Sequence, residues 1–418
     1  MALMQLPDRG RSRDELLDAI RGMQSRDVDW RSGRLFHLIY HAEPEIEEMC
    51  QAAHNSCFSL NALSPEAFPS LEQMETEVIQ MVASMFHCKG SWGNITSGGT
   101  ESHFLAVKTA RDRARDINEQ VGQPEVILPL SAHPSLPKAA HYLGMKVVAA
   151  ELGDDYRVSV EAVSRALSER TVLIVGSAPC WPHGVIDPIV ELSQLAKEAM
   201  VPLHVDSCVG GFILPFAESV GRPIPPFDFR LPGVCSMSAD VHKFGYAPKG
   251  ASVVVYRDES YYHYQPFSFS DWTGGLYTVP TFTGSRPGGP IAAAWAAMQF
   301  LGRQGYVEMT GRCLRATELL AGGIRRIEGL EVASEPELNI ITFRCVTADI
   351  AAVAAGMHDR GWLLLLQADP GKSPTTLHMT VNPSHDRFAE EFLQDLSDVT
   401  NAAATGKIVV HDAVARYN

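Results

Sequence analysis

The stretch TVLIVGSAPCWPHGVIDPIVELSQLAKEAMVPLHVDS, residues 171–207, decides the predicted fold. It begins with an apolar, β-branched run at 171–179, continues through a helical pattern at Ile189–Ala199 and ends in a second strand-like run at 201–207. A helix between two strands is the connection that parallel strands need. This stretch therefore predicts one repeating unit of an α/β fold.

The same alternation extends in both directions along the chain. Further strand-like runs lie at 125–130, 145–152, 233–239 and 251–257, and helical patterns lie at 135–143 and 160–167. Strands that alternate with helices indicate a mostly parallel sheet covered on both faces. We therefore predict an α/β fold whose large domain, residues 61–300, has three αβα layers. A helical arm, 1–60, precedes it, and a small C-terminal α+β domain, 301–418, follows it.

The composition excludes several classes of protein. With 35 Lys+Arg against 49 Asp+Glu, the net charge of −14 disfavours a broad nucleic-acid surface. No apolar run reaches the roughly 18 residues that a membrane helix needs, and residues 1–17 are charged where a secretory signal is apolar. Eight scattered cysteines fit neither a zinc module nor a disulfide framework. These features predict a cytoplasmic protein with no metal, no nucleic-acid partner and no transmembrane segment.

Four candidate site features lie at strand ends, where parallel sheets bind their ligands. Asp206 ends one predicted strand, while His133 and Lys243 follow two others. The turn Ser97-Gly98-Gly99-Thr100-Glu101 leads into a helix. Taken singly, each has a structural alternative: an aspartate that caps a turn, a core histidine, a surface lysine and a glycine cap without a ligand.

The combination is more specific than any of its members. A desolvated lysine beside His242 and aromatic residues would have a lowered pKa and could form a Schiff base. An aspartate can keep a pyridine nitrogen protonated, a histidine can stack on the ring, and a helix N-terminus can hold a phosphate. Pyridoxal 5′-phosphate is the common cofactor that needs all four groups.

Between about residues 33 and 396 the sequence resembles the fold-type I pyridoxal-phosphate enzymes of the group II decarboxylase superfamily, and within it the sphingosine-1-phosphate lyases. The motifs that carry the resemblance are TSGGTES (96–102), SAHPSLPKAAHYLGMK (131–146), SAPCWPHGVIDPI (177–189), HVDSCVGGF (204–212), SADVHKFGYAPKG (238–250), TGSRPG (283–288) and LHMTVNPSH (377–385). The resemblance implies retro-aldol cleavage of a phosphorylated amino alcohol to an aldehyde and phosphoethanolamine.

By position, the resemblance also implies roles for the residues that would hold the cofactor. Lys243 would form the Schiff base, Asp206 would pair with the pyridine nitrogen and His133 would stack on the ring. The residues expected at the cofactor phosphate are Gly99, Thr100 and His242.

The remaining implied roles concern the substrate and a second subunit. Gly284 and Ser285 would approach the cofactor phosphate from the partner in a homodimer with a shared active site. Tyr40 and Lys249 would contribute to catalysis or hold the substrate phosphate. Ser64 is a departure, because related lyases carry a histidine at this position that resembles a ligand of the substrate phosphate.

Other activities stay open at this stage. The superfamily and Ser64 leave an amino-acid α-decarboxylase as the alternative to a lyase acting on a small amine substrate. An aminotransferase fits the motifs less well. The last alternative is not an enzyme: the chain could be an inactive relative that binds the cofactor or a partner but catalyses no reaction.

Overall fold

The computed structural model describes residues 3–118, 122–368 and 375–408. The first two residues of the predicted arm and residues 409–418 of the predicted C-terminal domain lie outside this part. Along the described residues the α-helices are α1 (Arg13–Gln24), α2 (Pro44–Ser56), α3 (Pro69–Met85), α4 (Gly99–Ile117), α5 (Ser135–Tyr142), α6 (Val160–Ala166), α7 (Ile189–Ala199), α8 (Leu214–Ala217), α9 (Glu259–Tyr262), α10 (Gly288–Ile324), α11 (Ile350–Asp359) and α12 (Ala389–Ala404).

The strands belong to three sheets. They are β1 (Trp92–Thr96), β2 (Glu125–Pro129), β3 (Lys146–Ala150), β4 (Thr171–Ser177), β5 (Leu203–Asp206), β6 (Val234–Ala239), β7 (Ser252–Tyr256), β8 (Phe267–Phe269), β9 (Tyr277–Val279), β10 (Leu330–Val332), β11 (Ile340–Cys345), β12 (Leu365–Gln367) and β13 (Thr376–Thr380). The largest sheet has seven strands in the order β1-β7-β6-β5-β4-β2-β3. Its pairs from β6 to β3 are parallel, and β7 runs antiparallel to both of its neighbours. The predicted mostly parallel sheet is therefore confirmed.

Alternating residues of β2 explain why this sheet is covered on both faces. Val126 and Leu128 pack in one core cluster with side chains of α4 and α5. Ile127 between them belongs to another cluster, which contains residues of α6 and α7. Since neighbouring side chains of a strand point to opposite faces, helices cover the sheet on both sides. Each fully buried Val or Ile stabilises this three-layer arrangement by about 1.5–3 kcal/mol.

The C-terminal part forms an antiparallel sheet in the order β10-β11-β13-β12. Helices α11 and α12 pack on it around Trp362, Phe343 and Phe392. The element α10 consists of two helices that meet at Gly302, whose backbone is not helical and has a φ of 56°. The predicted boundary between the large and the C-terminal domain, at residue 300, falls inside α10. The division into these domains stays a prediction.

Strand β1 lies in the stretch GSWGNITSGGTES, residues 90–102, where the sequence pattern predicts a break and no strand. The strand is short, and its Gly93 lies against the backbone of β7, where an added Cβ would come within 2.2 Å of the carbonyl oxygen of Val254. Pairing of β1 with β7 fixes the position of the turn that leads into α4. None of the helices within the described ranges is long and apolar enough to span a bilayer.

Candidate active site

The strand ends and the start of α4 enclose a cavity of about 300 Å³. The candidate residues that line it are Gly99, Thr100, His133, Asp206, His242 and Lys243. They come from separate parts of the sequence and meet because β2, β5 and β6 end at the same edge of the sheet. His103, Cys208, Asp240 and Trp181 line the same cavity.

Asp206 is a buried carboxylate at the end of β5. Its Oδ1 accepts a hydrogen bond from the backbone N–H of Cys208 at 3.0 Å and lies 3.2 Å from Nε2 of His103. Burial alone would raise the pKa of this carboxyl group. The charge and hydrogen bond of His103 outweigh burial and hold the pKa well below its usual value. Asp206 is therefore ionised, as a partner of a protonated pyridine nitrogen must be.

Lys243 forms an ion pair with Asp240, the residue directly after β6. Its Nζ lies 3.0 Å from Oδ2 of Asp240. The expectation of a lowered pKa is wrong: burial alone would lower the pKa of Lys243, but the charge of Asp240 raises it well above the usual value. For Asp240, burial alone would raise the pKa, but the charges of Lys243 and His242 lower the pKa of this carboxyl group to about 2. Lys243 must therefore lose a proton before its amine can attack an aldehyde.

His133 lies at the rim of the same cavity. Its Nδ1 lies 2.7 Å from the hydroxyl of Ser135 and accepts the backbone N–H of Ser135 at 3.2 Å. Burial lowers the pKa of His133 to about 4, so the imidazole is neutral. A neutral flat ring beside Asp206 suits the predicted stacking role, which stays a prediction.

The glycine turn before α4 is shaped by close packing. A Cβ on Gly99 would lie 2.9 Å from both Oδ1 of Asp240 and Sγ of Cys208. A Cβ on Gly98 would lie 3.5 Å from Cε1 of His242, so that imidazole lies against the turn. The first N–H groups of α4 have no partner within the helix and carry the positive end of its dipole, which favours a bound phosphate.

These features fit pyridoxal 5′-phosphate. A helix N-terminus for the phosphate, an amine on Lys243 and an ionised carboxylate on Asp206 line one cavity. Gly99 leaves the space that a larger residue would fill. Three residues that line the same cavity, His103, Asp206 and Cys208, also lie close enough together to be possible ligands of a metal ion. Burial raises the pKa of the Cys208 thiol well above its usual value.

A second cavity of about 110 Å³ adjoins the first and shares Trp181, His242 and Lys243 with it. Tyr40 and Lys249 line this smaller cavity. Nζ of Lys249 donates a hydrogen bond to the carbonyl oxygen of His242 at 3.0 Å and lies 4.8 Å from the centre of the Tyr40 ring. Burial of its ammonium group and the charge of Lys243 lower the pKa of Lys249 to about 8.

The residues Ser64, Gly284 and Ser285 lie apart from both cavities within one chain. The Asn61 side chain joins their two segments: Nδ2 donates to the Ser285 hydroxyl at 3.3 Å, and Oδ1 accepts the N–H of Arg286 at 3.1 Å. The two segments therefore lie side by side. Their approach to a partner's cofactor stays a prediction.

Sequence reasoning missed three residues that line the site. Asp240 follows β6 as directly as Asp206 ends β5, and the same strand-end rule would have found it. His103 is four residues after Gly99, one helical turn along α4, so it lies above the turn that was singled out. Trp181 gave no signal, because only the fold brings its ring within 4.2 Å of the ring of His378.

Residues 4–346 match the pyridoxal-dependent decarboxylase conserved domain. The chain belongs to this family. The enzyme is thus a lyase that uses pyridoxal 5′-phosphate, and its α/β architecture is that of fold type I.

Relatives of the enzyme include lyases and a decarboxylase. Sphingosine-1-phosphate lyase 1 of Rattus norvegicus is 40% identical over 397 residues, which are 94% of this chain and 69% of the relative. A probable L-aspartate decarboxylase of Pyrococcus furiosus is 35% identical over 92% of this chain and 100% of its own length. The solved structure of a Burkholderia pseudomallei sphingosine-1-phosphate lyase superimposes with a TM-score of 0.91 at 39% identity, covering 97% of this chain and 94% of that one.

Proposed function

We propose that the enzyme cleaves the Cα–Cβ bond of a phosphorylated amino alcohol by a retro-aldol reaction, releasing an aldehyde and phosphoethanolamine. The observation that carries this proposal is the small cavity beside Lys243, where Lys249 offers a cation and Tyr40 a phenol oxygen. The identity to relatives named sphingosine-1-phosphate lyases supports the same substrate class.

The proposed cofactor-holding residues act before any bond is broken. The N-terminus of α4, with Gly99, Thr100 and His242, would bind the phosphate, and Lys243 would supply the amine that bonds to the aldehyde. Asp206 is ionised and would accept a hydrogen bond from the ring nitrogen. When bound, pyridoxal phosphate supplies an electron sink for the pair released at Cα.

Lys249 and Tyr40 have separate roles in this proposal. Below about pH 8 Lys249 is an ammonium ion and binds the substrate phosphate as a point charge. The phenolate form of Tyr40 would accept the proton of the substrate hydroxyl as the Cα–Cβ bond breaks, and that proton would then be delivered to Cα of the amine product. Such a transfer contributes about 10²–10⁴-fold to a rate. Ser64 cannot offer the charge of the histidine that it replaces.

The proposed active site is shared between two subunits of a homodimer. The β8–β9 hairpin and the segment after it expose large apolar side chains, namely Phe267, Phe269, Trp272, Leu276 and Phe282. Apolar side chains clustered in this way are typical of a surface that another chain covers. Phe282 is close in sequence to Gly284 and Ser285, so a partner on this surface would bring those residues to a second cofactor site.

We also propose a cytoplasmic location. All eight cysteines are free thiols, and six of them are buried. Disulfide bonds are rare in the reducing cytoplasm and common in secreted proteins.

The test is an assay of the cofactor-loaded enzyme with phosphorylated amino alcohols of several chain lengths. We expect release of a fatty or short-chain aldehyde together with phosphoethanolamine. Failure to release aldehyde at every chain length would overturn the proposal.

An amino-acid α-decarboxylase is the second candidate. The full-length match to a probable L-aspartate decarboxylase favours it, as does Ser64. Release of carbon dioxide from aspartate or another amino acid, with no dependence on a substrate phosphate, would select this activity over the lyase.

A further inference from the structure

A chain of four polar side chains runs behind the cofactor site, from Asp206 through His103 and Ser135 to His133. Nε2 of His103 lies 3.2 Å from Oδ1 of Asp206, and Nδ1 of His103 lies 2.6 Å from the hydroxyl of Ser135. That hydroxyl lies 2.7 Å from Nδ1 of His133. His103 and Ser135 are both buried, so solvent water does not replace these contacts.

Hydrogen-bond accounting fixes where the protons lie. Nδ1 of His133 accepts the backbone N–H of Ser135, so it carries no proton. The Ser135 hydroxyl therefore donates to His133 and can only accept from His103. Asp206 is an ionised acceptor at the other side of the His103 ring. The Cys208 thiol donates to the hydroxyl of Ser238 at 3.3 Å, so Nε2 of His103 faces the carboxylate of Asp206 as a donor. With both ring nitrogens donating, the ring is the doubly protonated imidazolium.

The other groups around His103 are consistent with this charge. His204 meets its ring edge-on at 5.8 Å and is a neutral neighbour, because burial lowers the pKa of His204 to about 3. Cys208 lies 3.5 Å from Nε2 of His103 and is a neutral thiol, because burial raises its pKa. Asp206 is thus the anion that pairs with His103.

We propose that His103 is a positioning residue: as an imidazolium held by Ser135, it fixes Oδ1 of Asp206 and leaves the other carboxylate oxygen for the cofactor ring. The inference rests on the proposed role of Asp206. The contacts of Asp206 to His103, Cys208 and Ser238 all use Oδ1, which orients the carboxylate. Without His103, burial would favour a neutral carboxylic acid, which cannot stabilise a protonated pyridine nitrogen.

The test compares His103→Leu with His103→Gln. Glutamine can place an N–H donor near Oδ1 of Asp206, whereas leucine cannot. We expect His103→Leu to weaken cofactor binding to the apo-protein about tenfold or more and to shift the absorbance of the bound cofactor. His103→Gln should recover most of the affinity. Equal losses in both variants would overturn the positioning role.

The charge of His103 has a separate test. In ¹⁵N-histidine NMR of the apo-protein at pH 7, the signals that disappear in His103→Gln should show two protonated ring nitrogens. A neutral tautomer there would overturn the inference. Ser135→Ala provides a second variant if His103→Leu does not fold, and it should shift the Nδ1 signal of His103; an unchanged signal would contradict the proposed hydrogen bond.

His87→Leu is the matched control, because His87 contacts Asp228 at 2.9 Å outside the cofactor site. It should leave cofactor affinity and absorbance unchanged. A tenfold loss in this control would assign the effect to general destabilisation and overturn the inference. None of these measurements uses substrate. The inference on His103 can therefore be overturned while the enzyme still releases aldehyde, and it can hold even if the enzyme releases no aldehyde.

Discussion

The two adjoining cavities of this enzyme are built in different ways. The cofactor cavity is lined by residues at the ends of neighbouring strands and at the start of α4, and its acidic groups are buried. The substrate cavity is lined by irregular segments around Tyr40 and Lys249. Ser64, which the family resemblance relates to the substrate phosphate, lies elsewhere in the same chain. The cofactor half is therefore built mainly on one sheet and, in our proposal, is completed by a second subunit, whereas the substrate half depends on loops.

The largest effect should come from the lysine at the border of the two cavities. Lys243→Ala removes the amine that we propose bonds to the cofactor, so aldehyde release should fall by at least about 10³-fold. The visible absorbance of the lysine-bound cofactor should disappear. Lys249→Ala is the matched control and should keep that absorbance; if it also abolished the absorbance, the two cavities would not be functionally separate.

The next largest effect concerns Asp206 at the far side of the cofactor cavity. In Asp206→Asn the side chain keeps its size but loses its charge, so turnover should fall by about 10²–10³-fold. Cofactor should bind more weakly, as in His103→Leu, but should still remain bound, which absorbance after gel filtration would check. An Asp206→Asn enzyme with normal turnover would show that the carboxylate does not act on the cofactor ring.

Most of the cofactor half could be predicted from the sequence, because a strand end is a local signal. Asp206 and Lys243 were found in this way, and Asp240 could have been. The predicted direction of the Lys243 pKa was wrong because that direction depends on Asp240, whose carboxylate lies 3.0 Å away only after folding. No periodic pattern marks the substrate half, so Tyr40 and Lys249 were assigned from family resemblance.

A smaller, pH-dependent effect is expected in the substrate cavity. Since the pKa of Lys249 is lowered to about 8, its positive charge is present below that pH and lost above it. The KM for a phosphorylated substrate should therefore rise as the pH increases through about 8. Steady-state kinetics of Lys249→Met should show a KM raised about tenfold at pH 7 and no such rise with pH. A pH-dependent KM in the variant would assign the titration to another group.

The smallest effect is expected at Ser64. Ser64→His introduces the side chain that the family resemblance implies for this loop, and it should lower the KM for phosphorylated substrates about three- to fivefold. Ser64→Ala should have little effect. A gain with Ser64→His that appears equally with unphosphorylated amines would argue against a contact with the substrate phosphate.

Glu101 joins the cofactor half to the segment that precedes Gly284 and Ser285. One carboxylate oxygen accepts the N–H of Ser97 at 2.7 Å, and the other accepts the N–H of Phe282 at 2.8 Å. A single side chain thus ties the phosphate-binding turn to the exposed strip around Phe282. The position of the turn before α4 is therefore coupled to the position of the segment around Phe282 through one carboxylate.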